Sequence, residues 1–274
     1  VENMIPGKLT SPSVIRAHLD RLGHRPNKGL GQNYLIDANI LNIIVDAAQI
    51  SADDRLLEIG PGLGALTQAL LKTGAPLTAI EKDPAMIAHL QHYFPPLNLI
   101  ERDVLDVDLN KIFSGGVNKI VANLPYSVGS RFIVNAVESA PLPERMVLMV
   151  QKEVADRLTA QPGKDPYGSL AIWTQLKYIV KNIKSVSPTC FMPAPNVWSS
   201  IVQFEKRASP LAEINNYARF KQIIKLCFTQ RRKQIGSTLH KNAPEYFEKL
   251  SAAGINPELR PASISIEQWA ALLN

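Results

Sequence analysis

Two cysteines in 274 residues, Cys190 and Cys227, are too few for a disulfide framework. Both lie in apolar surroundings and neither belongs to a C-x-x-C pair, so they read as buried thiols in a reducing compartment. The five histidines show no ligand spacing. His89 and His92 fall on what reads as a helix surface, and no metal site emerges. No run approaches ~18 apolar residues and no apolar stretch opens the chain, so nothing resembles a membrane span or a secretion signal. No His, Cys or catalytic Ser constellation stands out. These absences lead us to expect a cytoplasmic protein. With neither a coiled coil nor a large exposed apolar helix in view, a monomer is expected.

What is present is a basic balance with uneven distribution. The net charge is +6. Residues 1–35 carry five Lys/Arg against two acids, and residues 207–274 carry ten against five, so the middle is slightly acidic. Two basic ends around a near-neutral centre suit a polyanionic partner. Hydrophobic residues at 46% and charged residues at 20% are ordinary for a globular chain long enough for one large or two modest domains.

Residues 1–27 read as a basic arm, with an amphipathic helix predicted over Ser13–Leu22. Lys28-Gly-Leu-Gly-Gln-Asn-Tyr-Leu35 is a glycine-punctuated loop before a helix at Ala38–Gln49. Arg55–Ile59 reads as a strand, Gly60-Pro-Gly-Leu-Gly64 follows it, and Ala65–Lys72 as a helix. Glycines at such a strand-to-helix turn let backbone N–H groups approach a ligand beside a helix N-terminus. Gly60, Gly62 and Ala65 also fit a dinucleotide fingerprint, so the motif alone does not separate NAD from another adenosine cofactor.

A second strand, Pro76–Ile80, ends at Glu81, at the distance expected of an acid that accepts ribose hydroxyls. A third, Leu97–Ile100, runs to Arg102-Asp103-Val104, where a carboxylate can accept from an adenine amino group while Val104 packs on the ring. The fourth, Lys119–Val121, delivers Asn123-Leu-Pro-Tyr126. The Asn123 amide oxygen and the Leu124 carbonyl are two acceptors beside a flat ring, held by a proline that fixes φ. That set suits a planar base with an exocyclic amino group. Four successive strands thus place polar loops along one carboxyl edge of a parallel sheet, where doubly wound folds bind ligands.

Arg145–Val150 reads as a strand buried on both faces. Helices are expected at Gln151–Leu158 and Ser169–Tyr178, and closing strands at Tyr178–Val186 and Ser199–Phe204. The loop Phe191-Met-Pro-Ala-Pro-Asn-Val-Trp-Ser199 is stiffened by prolines and presents Phe191 like a plate; an exposed rigid aromatic would suit base stacking, whereas by residue type a core phenylalanine capping the sheet is favoured. From about residue 207 the pattern turns helical. Gln230-Arg-Arg-Lys233 offers Arg231, Arg232 and Lys233 as phosphate contacts at a helix start.

Taken together, the motifs Gly31-Gln-Asn-Tyr-Leu35, Leu57-Glu-Ile-Gly-Pro-Gly-Leu-Gly64, Glu81-Lys-Asp83, Arg102-Asp-Val104, Asn123-Leu-Pro-Tyr126, Val150-Gln-Lys-Glu153, the Phe191–Ser199 loop and Gln230-Arg-Arg-Lys233 resemble those of the ribosomal RNA adenine dimethyltransferases. That family acts on two adjacent adenines near the 3′ end of small-subunit RNA, and the resemblance runs from Lys28 to Leu273. It implies an α/β, Rossmann-like, S-adenosylmethionine-dependent methyltransferase domain over residues 28–206 and a small all-helical RNA-binding domain over 207–274. It further implies that Asn33, Leu35, Gly60, Glu81, Asp103 and Asn123 hold S-adenosylmethionine. Asn123, Leu124 and Tyr126 would hold the target adenine, and Phe191 would supply a second stacking face. The expected partner is small-subunit ribosomal RNA in a pre-ribosomal particle.

The chain departs from the family pattern at Gly29-Leu30, where an Arg-Phe pair is usual, and at Tyr34, where Phe is common. Trp198 stands where Asp usually precedes Ser199, and Ile235-Gly236-Ser237 replaces Ile/Leu-Arg-Asn. Three other functions share parts of the pattern. A relative that methylates one adenine of large-subunit RNA is disfavoured by the QRRK and NLPY forms. An NAD-dependent oxidoreductase leaves Asn123-Leu-Pro-Tyr126 unused. A non-catalytic assembly factor leaves the methyl-donor residues unexplained.

Overall fold

The computed structural model describes residues 7–26 and 32–274. The Gly29-Leu30 departure, with Lys28 and Gly31, lies outside the described residues. By proximity the chain divides into two compact units, Val1–Ala155 with Lys181–Lys206, and Asp156–Val180 with Arg207–Asn274.

The strands, in chain order, are β1 (Tyr34–Leu35), β2 (Leu56–Ile59), β3 (Leu77–Glu81), β4 (Asn98–Glu101), β5 (Lys119–Asn123), β6 (Arg145–Gln151), β7 (Tyr178–Val186), β8 (Phe191–Met192) and β9 (Ser199–Lys206). Seven of them form one sheet in the order β4-β3-β2-β5-β6-β9-β7. The β4-β3-β2-β5-β6 part is parallel, and β9 lies antiparallel to β6. Order reverses beside β2, which is where a doubly wound sheet opens its crevice. The central strands are buried on both faces: β2 and residues 146–150 of β6 are wholly buried, as helices on both sides require.

The first unit carries α1 (Pro12–Arg21), α2 (Ala38–Ala48), α3 (Ala65–Leu71), α4 (Pro84–Tyr93), α5 (Leu109–Ser114) and α6 (Gly129–Glu138). Caps fix where several begin. Asp37 accepts from the Asn39 and Ile40 N–H groups to start α2, and Asp83 accepts from Ala85 and Met86 to start α4, with Pro84 at its first position. Each such cap is worth about 1 kcal/mol.

Helix α1 packs on α4 through Ile15, Leu19 and Met86. This corrects the surface placement of His89. The His89 ring is 2% exposed, lies 5.1 Å from the His18 ring and 4.8 Å from Tyr93, and Nε2 sits 3.1 Å from the Leu63 carbonyl. Burial, reinforced by His18, lowers its pKa to about 4. Tyr93 one turn on along α4 covers part of the ring, and His18 of α1, which local sequence does not place there, covers more.

A two-stranded ladder pairs β1 with β8 antiparallel, Leu35 opposite Phe191 and Tyr34 opposite Met192. Of the two readings of Phe191, exposed plate or core phenylalanine, the structure shows the core one that residue type favours. Its ring is 3% exposed and belongs to the apolar cluster of Leu35, Ile44, Val121, Met149 and Ile201. The prolines that follow it stiffen the loop, but the register with β1 decides which way the ring faces.

Helix α7 (Lys152–Thr159) runs into the second unit, which adds α8 (Ser169–Gln175), α9 (Tyr217–Thr229), α10 (Ile235–Asn242), α11 (Pro244–Phe247) and α12 (Ile266–Leu273). Tyr167, Phe220, Ile224, Ile235 and Trp269 centre its core. The segment Asp156–Val180 therefore clusters with these helices and not with the sheet that precedes it in sequence. Its apolar residues, Tyr167, Ala171, Ile172 and Leu176, have no periodicity that says which core they join. The predicted helix Ala243–Ala253 is shorter, ending at Phe247. Cys227 is buried, and burial pushes its thiol up to about 12, whereas Cys190 is half-buried with its thiol on Asp37. Gly236, the unusual residue of the Ile235-Gly236-Ser237 run, donates its N–H to the Pro257 carbonyl at 2.9 Å; a Cβ there would lie 2.6 Å from Pro257 Cβ. The departure accommodates a close backbone approach.

Candidate active site

The loops after β2, β3, β4 and β5 converge on one cavity at the carboxyl edge of the sheet. Asn33, Leu35, Gly60, Glu81, Asp103 and Asn123 all line it, and so do Leu124 and Tyr126.

The β2 end turns at Gly60, whose φ is +64°, a left-handed conformation that costs an L side chain about 1–2 kcal/mol. A Cβ on Gly60 would also lie 2.9 Å from Pro125 Cγ. The glycine loop is thus pressed against the Asn123–Tyr126 loop, and only a bare backbone fits. Tyr34 covers the same loop from the other side: a Cβ on Gly62 would lie 3.2 Å from its ring, and its hydroxyl reaches Met86 Sδ at 3.6 Å.

Glu81 ends β3 and is 8% exposed. Its Oε1 accepts from the Lys82 and Asp83 N–H groups at 2.8 and 2.9 Å, and its Oε2 accepts from Gly62 N–H at 3.2 Å. Burial raises its pKa, against the pull of these three donors. The network continues outward, since Gln32 Nε2 donates to Asp83 Oδ2 at 2.7 Å and His24 Nε2 lies 3.6 Å from the same oxygen. Asp103 caps the short turn after β4, accepting from Leu105 N–H at 3.0 Å, and pairs with Lys82 Nζ at 3.0 Å. The Leu105 bond, then the Lys82 ammonium, hold its carboxyl below the usual carboxylate range.

Asn123 is the last residue of β5, and its Nδ2 donates to the Asn33 carbonyl at 3.4 Å, which leaves the amide oxygen as the end turned elsewhere. Leu124 N–H continues the ladder to the Met149 carbonyl at 3.1 Å, and Val128 N–H then closes a turn on the Pro125 carbonyl. The half-buried Tyr126 places its hydroxyl 2.6 Å from Ser199 Oγ.

Sequence reasoning gave Glu58 no role. It lines the cavity, is 1% exposed, and accepts from Thr67 Oγ1 at 2.7 Å. Complete burial raises its pKa to about 8. An acid inside the otherwise apolar Leu56-Leu57-Glu58-Ile59 was the available signal. Among the predicted residues, Phe191 does not line the cavity. Arg231, Arg232 and Lys233 belong to the second unit, where they are exposed on the turn between α9 and α10 and not at a helix start, and Arg231 pairs with Asp165.

A tight glycine turn, a buried carboxylate at the end of the next strand and a capping carboxylate after the one beyond it, all lining one cavity, have the chemistry to receive S-adenosylmethionine. The fold and the cavity together define an S-adenosylmethionine-dependent methyltransferase. The family model of ribosomal RNA adenine dimethylase matches residues 23–274. The chain belongs to that family. It is 39% identical to the ribosomal RNA small subunit methyltransferase A of Opitutus terrae, over 96% of this chain and 97% of that one. With the protein of the same name from Bacillus mycoides it shares 37%, over 97% and 96%. Among solved structures, a dimethyladenosine transferase from Plasmodium falciparum superposes with a TM-score of 0.73 at 26% identity, covering 87% of this chain and 95% of that one. The 23S rRNA methyltransferase ErmE gives 0.66 at 25%, covering 87% and 97%. Among the described residues, no helix is long and apolar enough to cross a membrane.

Proposed function

We propose that this protein adds two methyl groups to N6 of each of two adjacent adenines in small-subunit (16S) ribosomal RNA, within a pre-ribosomal particle in the cytoplasm and as a monomer. The observation that carries the reading is the single cavity in which the Glu81 and Asp103 carboxylates meet the Asn123-Leu-Pro-Tyr126 loop. The small-subunit substrate is supported by relatives at 37–39% identity that carry that name, against 25% for the 23S enzyme.

S-adenosylmethionine, when bound, supplies an electrophilic methyl group. Glu81 would accept the ribose hydroxyls and Asp103 the adenine amino group of that cofactor, with Asn33, Leu35, Gly60 and Asn123 completing its site. The target base enters beside Tyr126. Adenine N6 is a poor nucleophile because its lone pair is conjugated into the ring. Asn123 Oδ1 and the Leu124 carbonyl accept its two N–H bonds, favour a pyramidal nitrogen and aim the lone pair. No strong base is required, because a nitrogen that has gained a fourth substituent releases its proton readily. Methylating the same nitrogen again requires room for one methyl group, and the remaining N–H then engages one of the two acceptors. Arg231, Arg232 and Lys233 would contact phosphates, Arg231 exchanging Asp165 for the backbone, so affinity should fall steeply with salt.

The test is radiolabelled methyl transfer to immature small subunits, with Asn123→Ala alongside and digestion of the product RNA. N6-dimethyladenine from the wild type and almost none from the variant is the expected result. A wild type that binds the particle and transfers no methyl group would overturn the proposal in favour of a non-catalytic assembly role.

A further inference from the structure

Ser199 opens β9 opposite Gln151, and its side chain is completely buried. Its position is fixed from both sides: the antiparallel ladder with β6 follows it, and the preceding Trp198 carbonyl accepts from Lys152 N–H at 2.8 Å. From that fixed point its hydroxyl meets the Tyr126 hydroxyl at 2.6 Å. Tyr126 sits on the loop that leaves β5 for α6, and its ring lines the cavity. The hydroxyl lies on the long axis of the ring, so rotation about χ2 leaves it in place, and a bond to it pins the far end of that axis and with it the χ1 of a loop tyrosine.

We propose that Ser199 is a positioning residue for the methyl transfer: by holding the Tyr126 hydroxyl, it anchors the far end of the ring and keeps the ring at the place in the cavity where the target adenine stacks. This rests on the reading that Tyr126 receives the base. In this arrangement the Tyr126 hydroxyl is committed to Ser199 and is neither an acid nor a base in the reaction. Burial keeps the phenol above its ordinary pKa, which agrees with a neutral tether. RNA affinity comes mainly from phosphate contacts, so a loosened ring lowers the fraction of bound adenines stacked for reaction and not the binding itself.

The neighbouring strand residue supplies a control. Ser200 is equally buried, and its Oγ has no hydrogen-bond partner among the described residues. The experiment measures kcat and KM on immature small subunits for Ser199→Ala, Tyr126→Phe, the double variant, Ser200→Ala and Tyr126→Ala. It also records the fluorescence of 2-aminopurine placed at the target position in a small-subunit RNA fragment, and thermal unfolding without RNA. Loss of one hydrogen bond to a partly buried hydroxyl is expected to lower kcat about threefold to tenfold in Ser199→Ala and in Tyr126→Phe. The double variant should fall no further than either single one, with KM unchanged and 2-aminopurine quenching weakened in each. Ser200→Ala should match the wild type. Ser199→Ala at wild-type kcat and quenching, an additive double variant, or an equal loss in Ser200→Ala would each overturn the tether. Tyr126→Ala separates the two levels of the argument. If it retains quenching and kcat, the stacking reading itself fails and the tether with it. If it loses both while Ser199→Ala does not, only the tether fails.

Discussion

Glu58 offers a test of the cavity that needs neither RNA nor cofactor. Its carboxyl is wholly buried, accepts one hydrogen bond from Thr67, and has a pKa raised from 4.5 to about 8, first by burial and then by the nearby Glu81. A carboxyl with a raised folded-state pKa stays protonated in the native chain while its unfolded counterpart ionises. Its contribution to stability is complete below about pH 4.5 and is lost as pH rises through about 8. Across that window each pH unit removes about 1.4 kcal/mol. Glu58→Gln keeps the volume and an oxygen that accepts from Thr67 but has no proton to lose. The difference in unfolding free energy between wild type and variant should therefore shift towards the variant by about 3 kcal/mol from pH 5.5 to pH 7.5. Urea unfolding at four pH values, followed by a near-ultraviolet signal, reads it directly. Parallel curves for the two proteins would refute the reasoning, because they would mean that Glu58 ionises alike in the folded and unfolded chain. Glu81 titrates in both proteins and cancels in the difference.

Two further outcomes follow from the packing. Phe191→Ala should destabilise the first unit by about 3–5 kcal/mol, as loss of a core aromatic does, measured by denaturant unfolding; a stable variant defective only in methyl transfer would restore the exposed-plate reading of Phe191. Gly60→Ala must place a methyl group against Pro125 at a φ of +64°. It should weaken S-adenosylmethionine binding at least tenfold by calorimetry and lower methyl transfer with it, since the collision displaces the loop that carries Asn123; unaltered binding would show that the loop gives way freely.

Much of the site was legible because it is written one strand at a time. Each of Gly60, Glu81, Asp103 and Asn123 stands at or just beyond the carboxyl end of its own strand, and the rules that order parallel strands bring the four ends to one edge. No long-range pairing has to be guessed. The residues misread or left between two readings depend on such pairing. Phe191 turns inward because β8 meets β1, a partner far away in sequence and only two residues long. His89 is buried because α1 covers α4. Asp156–Val180 joins the helical core because its apolar residues fit there, and local pattern is silent about that choice. Glu58 was visible as an anomaly, an acid within an apolar strand, but its state depends on burial, which the sequence does not give.

The β1–β8 ladder has a practical consequence for engineering. Asn33 and Tyr34 reach the cavity from one arm, and the proline-rich segment leading to Ser199 leaves from the other. The two arms are laced through Leu35 and Phe191, so neither is an independent module. A chimera that imports a relative's first loop to alter its range of substrates, while keeping the native second loop, would mismatch the lacing and unseat Phe191 from the core. Grafts across this family should exchange the two segments as a matched pair.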